Sequence, residues 1–286
     1  MSSDRGRCSD ASRAAGEPLA GTAVNAVHWL LVEVPGSWPR DVSDAGTLPT
    51  AAYDAVSGWL AGTPRSRALF VRRPGRPASR PLVFVVRADE ASTEVRRVEL
   101  ESRDGLAAVD FDTDGERVET QLVLVCGHGS RDQCCALRGT SVFTVLSSEL
   151  GLGDEELWLS SHQGGHRFAG NVLVLPSGIQ LGRVDPDEAS SLTARALAGH
   201  IALDRFRGRT CYEPRAQVAD HALRVELGID GLAELRLLGV EGTTVRFRTA
   251  DGVEHAAVVD EAEGPTVPAS CGADPEPQKA FSVRIA

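Results

Sequence analysis

The sequence predicts an α/β protein, and three observations carry that reading. Short apolar runs of four to eight residues alternate with segments of helical periodicity. The clearest stretch runs strand, helix, strand, loop, strand, strand, helix, which is a thioredoxin-like topology with its middle helix shortened to a loop. The glycine-rich segments CGHGSRDQCCA (126–136) and HQGGHRFAGN (162–171) each follow an apolar run, where the open edge of an α/β sheet collects ligands.

The elements follow in chain order. Residues 1–22 are small and polar, without the apolar core of a secretory signal, and read as a disordered leader. In 23–117, AVHWLLVEVPG is strand-like, GSWPRDVSDAGTLPT is loop, and AAYDAVSGWLAG is a short helix. ALFVRR, PLVFVVRAD and STEVRRVELE follow as strands, separated by proline, glycine and charged turns. This N-terminal α/β domain is a candidate degenerate copy of the next. In 118–204, 121–125 is a buried strand and CALRGTSVFTVLSSELG an amphipathic helix with Val142, Val145, Leu146 and Leu150 on one face, stopped by Gly151. EELWLSSH is the second strand, NVLVLPSG and IQLGRVDP are strands joined by a Pro-Ser-Gly turn, and DEASSLTARALAGHIAL is a helix capped by Asp185 or Asp187. The remainder, 205–286, reads as a loop into a helix, then a small antiparallel sheet with an Asp-Gly turn at 251–252. EGPTVPASCGADPEPQKA reads as a proline-rich surface loop.

Composition narrows the function. No run of about 18 apolar residues occurs, so no membrane span is expected. A formal net charge of -10, with thirty Lys and Arg in no dense cluster, disfavours nucleic acid and suits solubility or docking to a basic partner protein. A cytoplasmic location is expected, and there six cysteines point to metal or redox roles rather than disulfides. No G-x-G-x-x-G fingerprint is present, so no bound nicotinamide or flavin is expected.

The two loops should face each other. Strands 121–125 and 156–161, linked by one helix, are expected to be parallel neighbours with their C-terminal tips pointing the same way. Cys126 leaves the first tip and His162 the second, while Cys135 opens the helix, where the dipole favours a thiolate. Two sulfurs and two imidazoles then converge. Such a set holds zinc or an iron–sulfur cluster. Eight residues between Cys126 and Cys135 are too many for a zinc knuckle and suit a larger object. Gly164 and Gly165 would let bare backbone approach it and offer N–H donors. Spacing alone leaves zinc and cluster both open. Other residues read as structural: His128 as a loop hydrogen-bonder, Arg131 and Asp132 as a bracing pair, Arg167 as surface or as a tuner of charge, Cys211 as a small buried hydrophobe. Cys8 and Cys271 carry no signal. A dithiol enzyme using Cys134 and Cys135 is disfavoured, because adjacent cysteines close a strained ring.

The two loops resemble the sucrase/ferredoxin-like family, whose pattern is C-x-H-G-x-x-D-x-x-C, then H-x-G-G-H-x-x-A-x-N and a V-L-P-x-G turn. The matches are Cys126, His128, Gly129, Asp132, Cys135, His162, Gly164, Gly165, His166, Ala169, Asn171, Pro176 and Gly178. RGRTCYEP, with Cys211, resembles a further patch. The resemblance runs over about 28–225 and is most specific over 119–186. It implies a thioredoxin-like ferredoxin domain with a 2Fe–2S cluster held by Cys126, Cys135, His162 and His166, both cysteines on one iron and both histidines on the other. Cys134, where many relatives have a basic residue, is the runner-up to Cys135. No carboxylate pair for sugar hydrolysis stands out.

That ligand set implies an electron-transfer protein with an unidentified redox partner. Two ferric irons, two sulfides and two thiolates sum to zero with neutral imidazoles, so the potential should lie above that of all-cysteine ferredoxins. Each ligating imidazole keeps a second nitrogen that titrates, and reduction tightens its hold on the proton. The reduction potential is therefore expected to fall as pH rises through the histidine pKa of the oxidised form. Protein-film voltammetry from pH 5 to 10 checks this, and a flat profile would count against exchangeable imidazole ligands.

Overall fold

The computed structural model describes residues 6–42, 46–75 and 80–286. Its elements are α1 (Cys8–Ala14), β1 (His28–Glu33), α2 (Thr50–Gly62), β2 (Ser66–Arg72), β3 (Leu82–Ala88), β4 (Thr93–Glu99), β5 (Glu116–Arg117), β6 (Leu122–Cys126), α3 (Gln133–Glu149), β7 (Leu157–Ser160), β8 (Val172–Leu175), β9 (Ile179–Leu181), α4 (Pro186–Leu197), β10 (Phe206–Arg209), α5 (Pro214–Leu227), β11 (Leu235–Glu241), β12 (Thr244–Thr249), β13 (Glu254–Pro268) and β14 (Pro275–Ile285). A ten-stranded sheet has the order β10-β9-β8-β6-β7-β2-β1-β3-β4-β5, and a four-stranded sheet the order β11-β12-β13-β14.

The large sheet contains one thioredoxin-like unit twice. In the second half β6 pairs parallel with β7 and antiparallel with β8, which pairs antiparallel with β9. In the first half β1 pairs parallel with β2 and antiparallel with β3, which pairs antiparallel with β4. Each parallel pair is joined through a helix, α3 or α2, as a parallel crossover requires. The halves meet where β2 and β7 pair antiparallel through Val71↔Ser160 and Arg72↔Leu159. Equivalent strands that pair antiparallel imply a local two-fold relation, so the degenerate copy read from the sequence is present. Among the described residues it has no counterpart of α4; a 3-10 turn at Arg103–Ala108 instead brings Leu106 into one apolar cluster with Ala52 and Val56 of α2.

The strands β6, β7 and β8 are buried at every position, which is why they read as continuous apolar runs. One face of the sheet packs on α2, α3 and α4 through Val56, Val142, Leu146 and Leu192. The other face carries a second apolar cluster with no helical residue in it: Trp29, Leu31 and Phe84 of the first half join Leu124, Trp158 and Leu173 of the second. The Phe84 and Trp158 rings meet edge to face at 5.9 Å.

The structure corrects three expectations. The leader is ordered from α1 onward, with Cys8, Ser9 and Ser12 buried. Its buried polar groups Ser12 and Glu17 are partnered rather than solvated. Ser12 donates to Glu17, Arg167 pairs with Glu17 at 2.7 Å, and Arg183 donates to the carbonyl of Glu17. Residues 1–5 lie outside the described residues. The boundary at 204/205 cuts the large sheet, because Phe206–Arg209 is β10, an edge strand paired with β9. The proline-rich loop is mostly a long hairpin of β13 and β14. Beyond Val258, β13 has β14 on one side only, and β14 is itself an edge, so prolines at 265, 268, 275 and 277 interrupt no inner ladder. The hairpin tip returns Cys271 to the start of α3, where its N–H donates to Asp132 at 2.7 Å. α5 packs under the small sheet through Ala216, Ala219 and Leu223 against Val245, Phe247 and Val259.

α3 positions the site, and two residues seat it. Asp132 is its N-cap and accepts the Cys134 N–H at 2.8 Å. Burial acts to raise the Asp132 carboxyl, but the Cys271 and Cys134 amides outweigh it and hold the group below its usual value. Gly139 lets the helix lie on the strand tip, for a Cβ there would sit 1.9 Å from the Cys126 carbonyl oxygen.

Gly139→Ala should destabilise the protein by about 3 kcal/mol, since the clash is with backbone. Gly58→Ala in α2, where a Cβ meets nothing within 4 Å, should stabilise by roughly 0.5–1 kcal/mol. Paired denaturant melts check both. Because the Asp132 carboxyl is depressed in the fold, its contribution is full above the unfolded value near ~4 and disappears as pH falls through the lower folded value. In the metal-free protein Asp132→Asn should cost about 1–2 kcal/mol at neutral pH, with the two melting curves converging in acid.

Candidate metal centre

Cys126 ends β6, 1 % exposed, in register with Ser160 of the parallel neighbour β7. The chain continues from Ser160 through Ser161 to His162. The Gly127 N–H donates to the Ser160 carbonyl at 3.1 Å, and the Cys126 N–H donates to the Asn171 carbonyl at 3.1 Å. The cysteine loop is thereby tied to both ends of the histidine loop. His128 completes the link: its Nδ1 accepts the His162 N–H at 3.2 Å, which leaves Nε2 as donor to the Pro39 carbonyl at 2.8 Å. Trp38 packs edge to face on the same ring, and its carbonyl accepts from Ser130. His128 is therefore the loop hydrogen-bonder expected of it.

The four residues singled out come together. The donor atoms of Cys126, Cys135 and His162 lie within 4.8 Å of one another, and Cys135 Sγ is 3.7 Å from His166 Nδ1. The two imidazoles stack, with centroids 3.8 Å apart and planes 15° from parallel. His162 Nδ1 is buried and makes no hydrogen bond among the described residues. The neighbouring Cys135 thiol, with His162 adding to the effect, outweighs burial and holds the Cys126 thiol well below its usual value. The same interaction, with burial, pushes Cys135 up. Burial first and His162 second push His166 down to about 4, which keeps it neutral, the form that binds a metal.

The adjacent cysteines part company at the start of α3. Cys135 turns to Cys126 and His166, while Cys134 turns to Cys8 and Cys271, at 3.7 and 3.3 Å. Asp132 lies between the two groups. Its carboxylate belongs with Cys135 and His166 on one side and with Cys8, Cys134 and Cys271 on the other. The bracing expected of Asp132 is thus delivered through backbone amides, and Cys8 and Cys271, which read as silent, are part of a cluster. Cys211 is a buried member of the C-terminal apolar cluster, as expected.

Gly164 and Gly165 adopt left-handed φ of +90° and +70°. Polar side chains take up their carbonyls: Arg207 donates to Gly164 at 3.0 Å and Asn171 donates to Gly165 at 3.0 Å. A Cβ on Gly165 would lie 2.6 Å from the Arg207 guanidinium. Sequence reading missed Arg207 and Arg67. Arg207 is fully buried and donates to Asn171 Oδ1 at 2.9 Å, Thr22 Oγ1 at 3.0 Å and the Thr22 carbonyl, all neutral. Burial and Arg167 push its pKa down to about 9, against the pull of the two cysteines. Arg67 donates to the His162 carbonyl at 2.8 Å. Both reach the site from strands distant in sequence, so no local motif marks them. The alternating pattern of RFRGR was the available clue.

Among the described residues no helix is long and apolar enough to cross a membrane. The chain is 30% identical over 149 residues to altered inheritance of mitochondria protein 32 of Meyerozyma guilliermondii, covering 49% of this chain and 50% of that one. It is 32% identical over 123 residues to the protein of the same name in Eremothecium gossypii, covering 43% and 37%. It therefore spans half or less of the length of these curated relatives. A thioredoxin-like [2Fe-2S] ferredoxin from Aquifex aeolicus aligns with 31% of this chain and 91% of its own, at 18% identity and a TM-score of 0.26. The profile of the sucrase/ferredoxin-like family matches residues 19–208, a stretch that holds both thioredoxin-like units and all four converging donors. On that match the chain belongs to the sucrase/ferredoxin-like family.

Proposed function

We propose that the protein is an electron carrier whose Cys126, Cys135, His162 and His166 hold a 2Fe–2S cluster. The observation that supports this best is the shape of the donor set. Three donors lie within 4.8 Å of one another, whereas His166 joins only through Cys135, in a group completed by Asp132. One tetrahedral ion would need all four in a single set. Two sulfurs beside two stacked imidazoles suit a wider, binuclear centre. The buried, unpartnered Nδ1 of His162 is a donor that a metal would satisfy.

Such a cluster, when bound, accepts and returns one electron. The chain supplies the surroundings. Arg207 and Arg67 bring positive charge close to Cys126 without a carboxylate among the hydrogen-bond partners given above, which favours added negative charge. His162 and His166 are each half-buried rather than sealed in the core, and in this reading the nitrogen left free on each ring takes up a proton when the cluster is reduced. Gly164 and Gly165 fit a role as close backbone neighbours of the cluster. The same half-buried histidine edge is where a redox partner protein would dock, in the cytoplasm, and the net negative charge favours a basic partner over nucleic acid or membrane.

Protein purified without oxygen should be red-brown, contain about two irons and two sulfides per chain, and bleach with dithionite. Cys126→Ser and Cys135→Ser should lose the colour, while Cys134→Ser should keep it. A colourless protein with one zinc bound by these four residues would overturn the reading in favour of a structural Cys2His2 module.

A further inference from the structure

We propose a second metal site, for one structural zinc ion, formed by Cys8, Cys134, Cys271 and Asp132. These residues come from α1, the first turn of α3, the tip of the β13–β14 hairpin and the α3 N-cap. Their donor atoms all lie within 4.8 Å of one another. The three sulfurs form a triangle with sides of 3.7, 3.6 and 3.3 Å. Asp132 Oδ1 stands 3.8 Å from Cys8 Sγ and 3.3 Å from Cys271 Sγ. A tetrahedron of thiolates about 2.3 Å from zinc has sulfur–sulfur edges of roughly 3.8 Å. A disulfide needs sulfurs about 2.05 Å apart, so every pair here is spaced for a shared ion rather than for a bond.

The surroundings are those of a built site. Cys8 and Cys134 are fully buried and Asp132 is 4 % exposed. The carboxylate is fixed by the amides of Cys134 at 2.8 Å and Cys271 at 2.7 Å. Ser9 donates to Cys134 Sγ at 3.2 Å and accepts from Arg138 at 3.0 Å, the outer shell that orients a ligand. Cys271 is only part-buried, and once deprotonated the three thiolates and the carboxylate need a cation among them. Binding Zn²⁺ sends the thiol protons to solvent and leaves the centre with two net negative charges, next to the positive end of α3. The ion would fasten α1 and the tip of the β13–β14 hairpin to the helix that carries Cys135.

Metal analysis and zinc-edge X-ray absorption on the full-length protein, grown with zinc and purified without chelator or oxygen, test this. About one zinc per chain is expected, with three sulfurs near 2.3 Å and one oxygen. Cys8→Ser and Cys271→Ser should lose the zinc and keep any iron and visible colour. Cys126→Ser should keep the zinc. If those variants fail to fold, the absorption spectrum of the unaltered protein still decides, through its sulfur count. Zinc-free protein, a two-sulfur two-nitrogen shell, zinc lost with Cys126→Ser but kept in Cys8→Ser, or a disulfide among Cys8, Cys134 and Cys271 would each overturn the proposal. Zinc and iron are counted separately, so this site and the cluster stand or fall independently.

Discussion

The parallel pairing of β6 with β7 is the constraint on which the site depends. It sets Cys126 level with Ser160, so the loops that leave the two tips begin side by side. The rest is refinement of that juxtaposition. Gly139 brings α3 down until its first turn reaches the strand tip, and Asp132 fixes where that turn starts. His128 ties the loops together through one imidazole with two backbone partners. No donor is held by a long flexible arm, so the geometry is set mainly by backbone.

Charge is arranged with similar economy. The centre has a Cys126 thiol held low by its Cys135 neighbour and a His166 held neutral, faced by a buried arginine whose acceptors are a hydroxyl, an amide oxygen and two carbonyls. A guanidinium does not deprotonate in a protein, so the downward push on Arg207 measures how unfavourable its burial is. The charge is felt by Cys126 and Cys135, whose thiolate forms pull the Arg207 pKa up against that cost. Arg207 also shapes the loop, because its guanidinium fills the space that a side chain at Gly165 would need. One residue thus both shapes the path of the histidine loop and places a buried positive charge beside it.

Much of this was legible in the chain. β6, α3 and β7 are strongly periodic or fully apolar, and they were placed within a few residues of their observed limits. Cys126, Cys135, His162 and His166 converge as their positions at element ends suggested. What escaped has a common cause. Cys8, Cys271, Arg67 and Arg207 act through contacts between segments far apart in sequence, and their neighbours do not name the partner. Polarity alone suggests a solvated leader, whereas Glu17 is 3 % exposed and paired with Arg167. The final hairpin was misjudged because its prolines suggest loop until the edge positions of the strands are known.

The duplicated unit has one more consequence. In the first half, the loop after β1 is the counterpart of the cysteine loop, yet Val34–Pro39 carries no thiol or imidazole. It offers the Trp38 and Pro39 carbonyls to the other half, gripping Ser130 and His128. Two units related by a two-fold axis are the arrangement of a homodimer. Here one polypeptide contains both, so the gripping unit is present at a fixed effective concentration. The tether also frees the two copies to diverge, one keeping the reactive groups and the other serving as their permanent subunit.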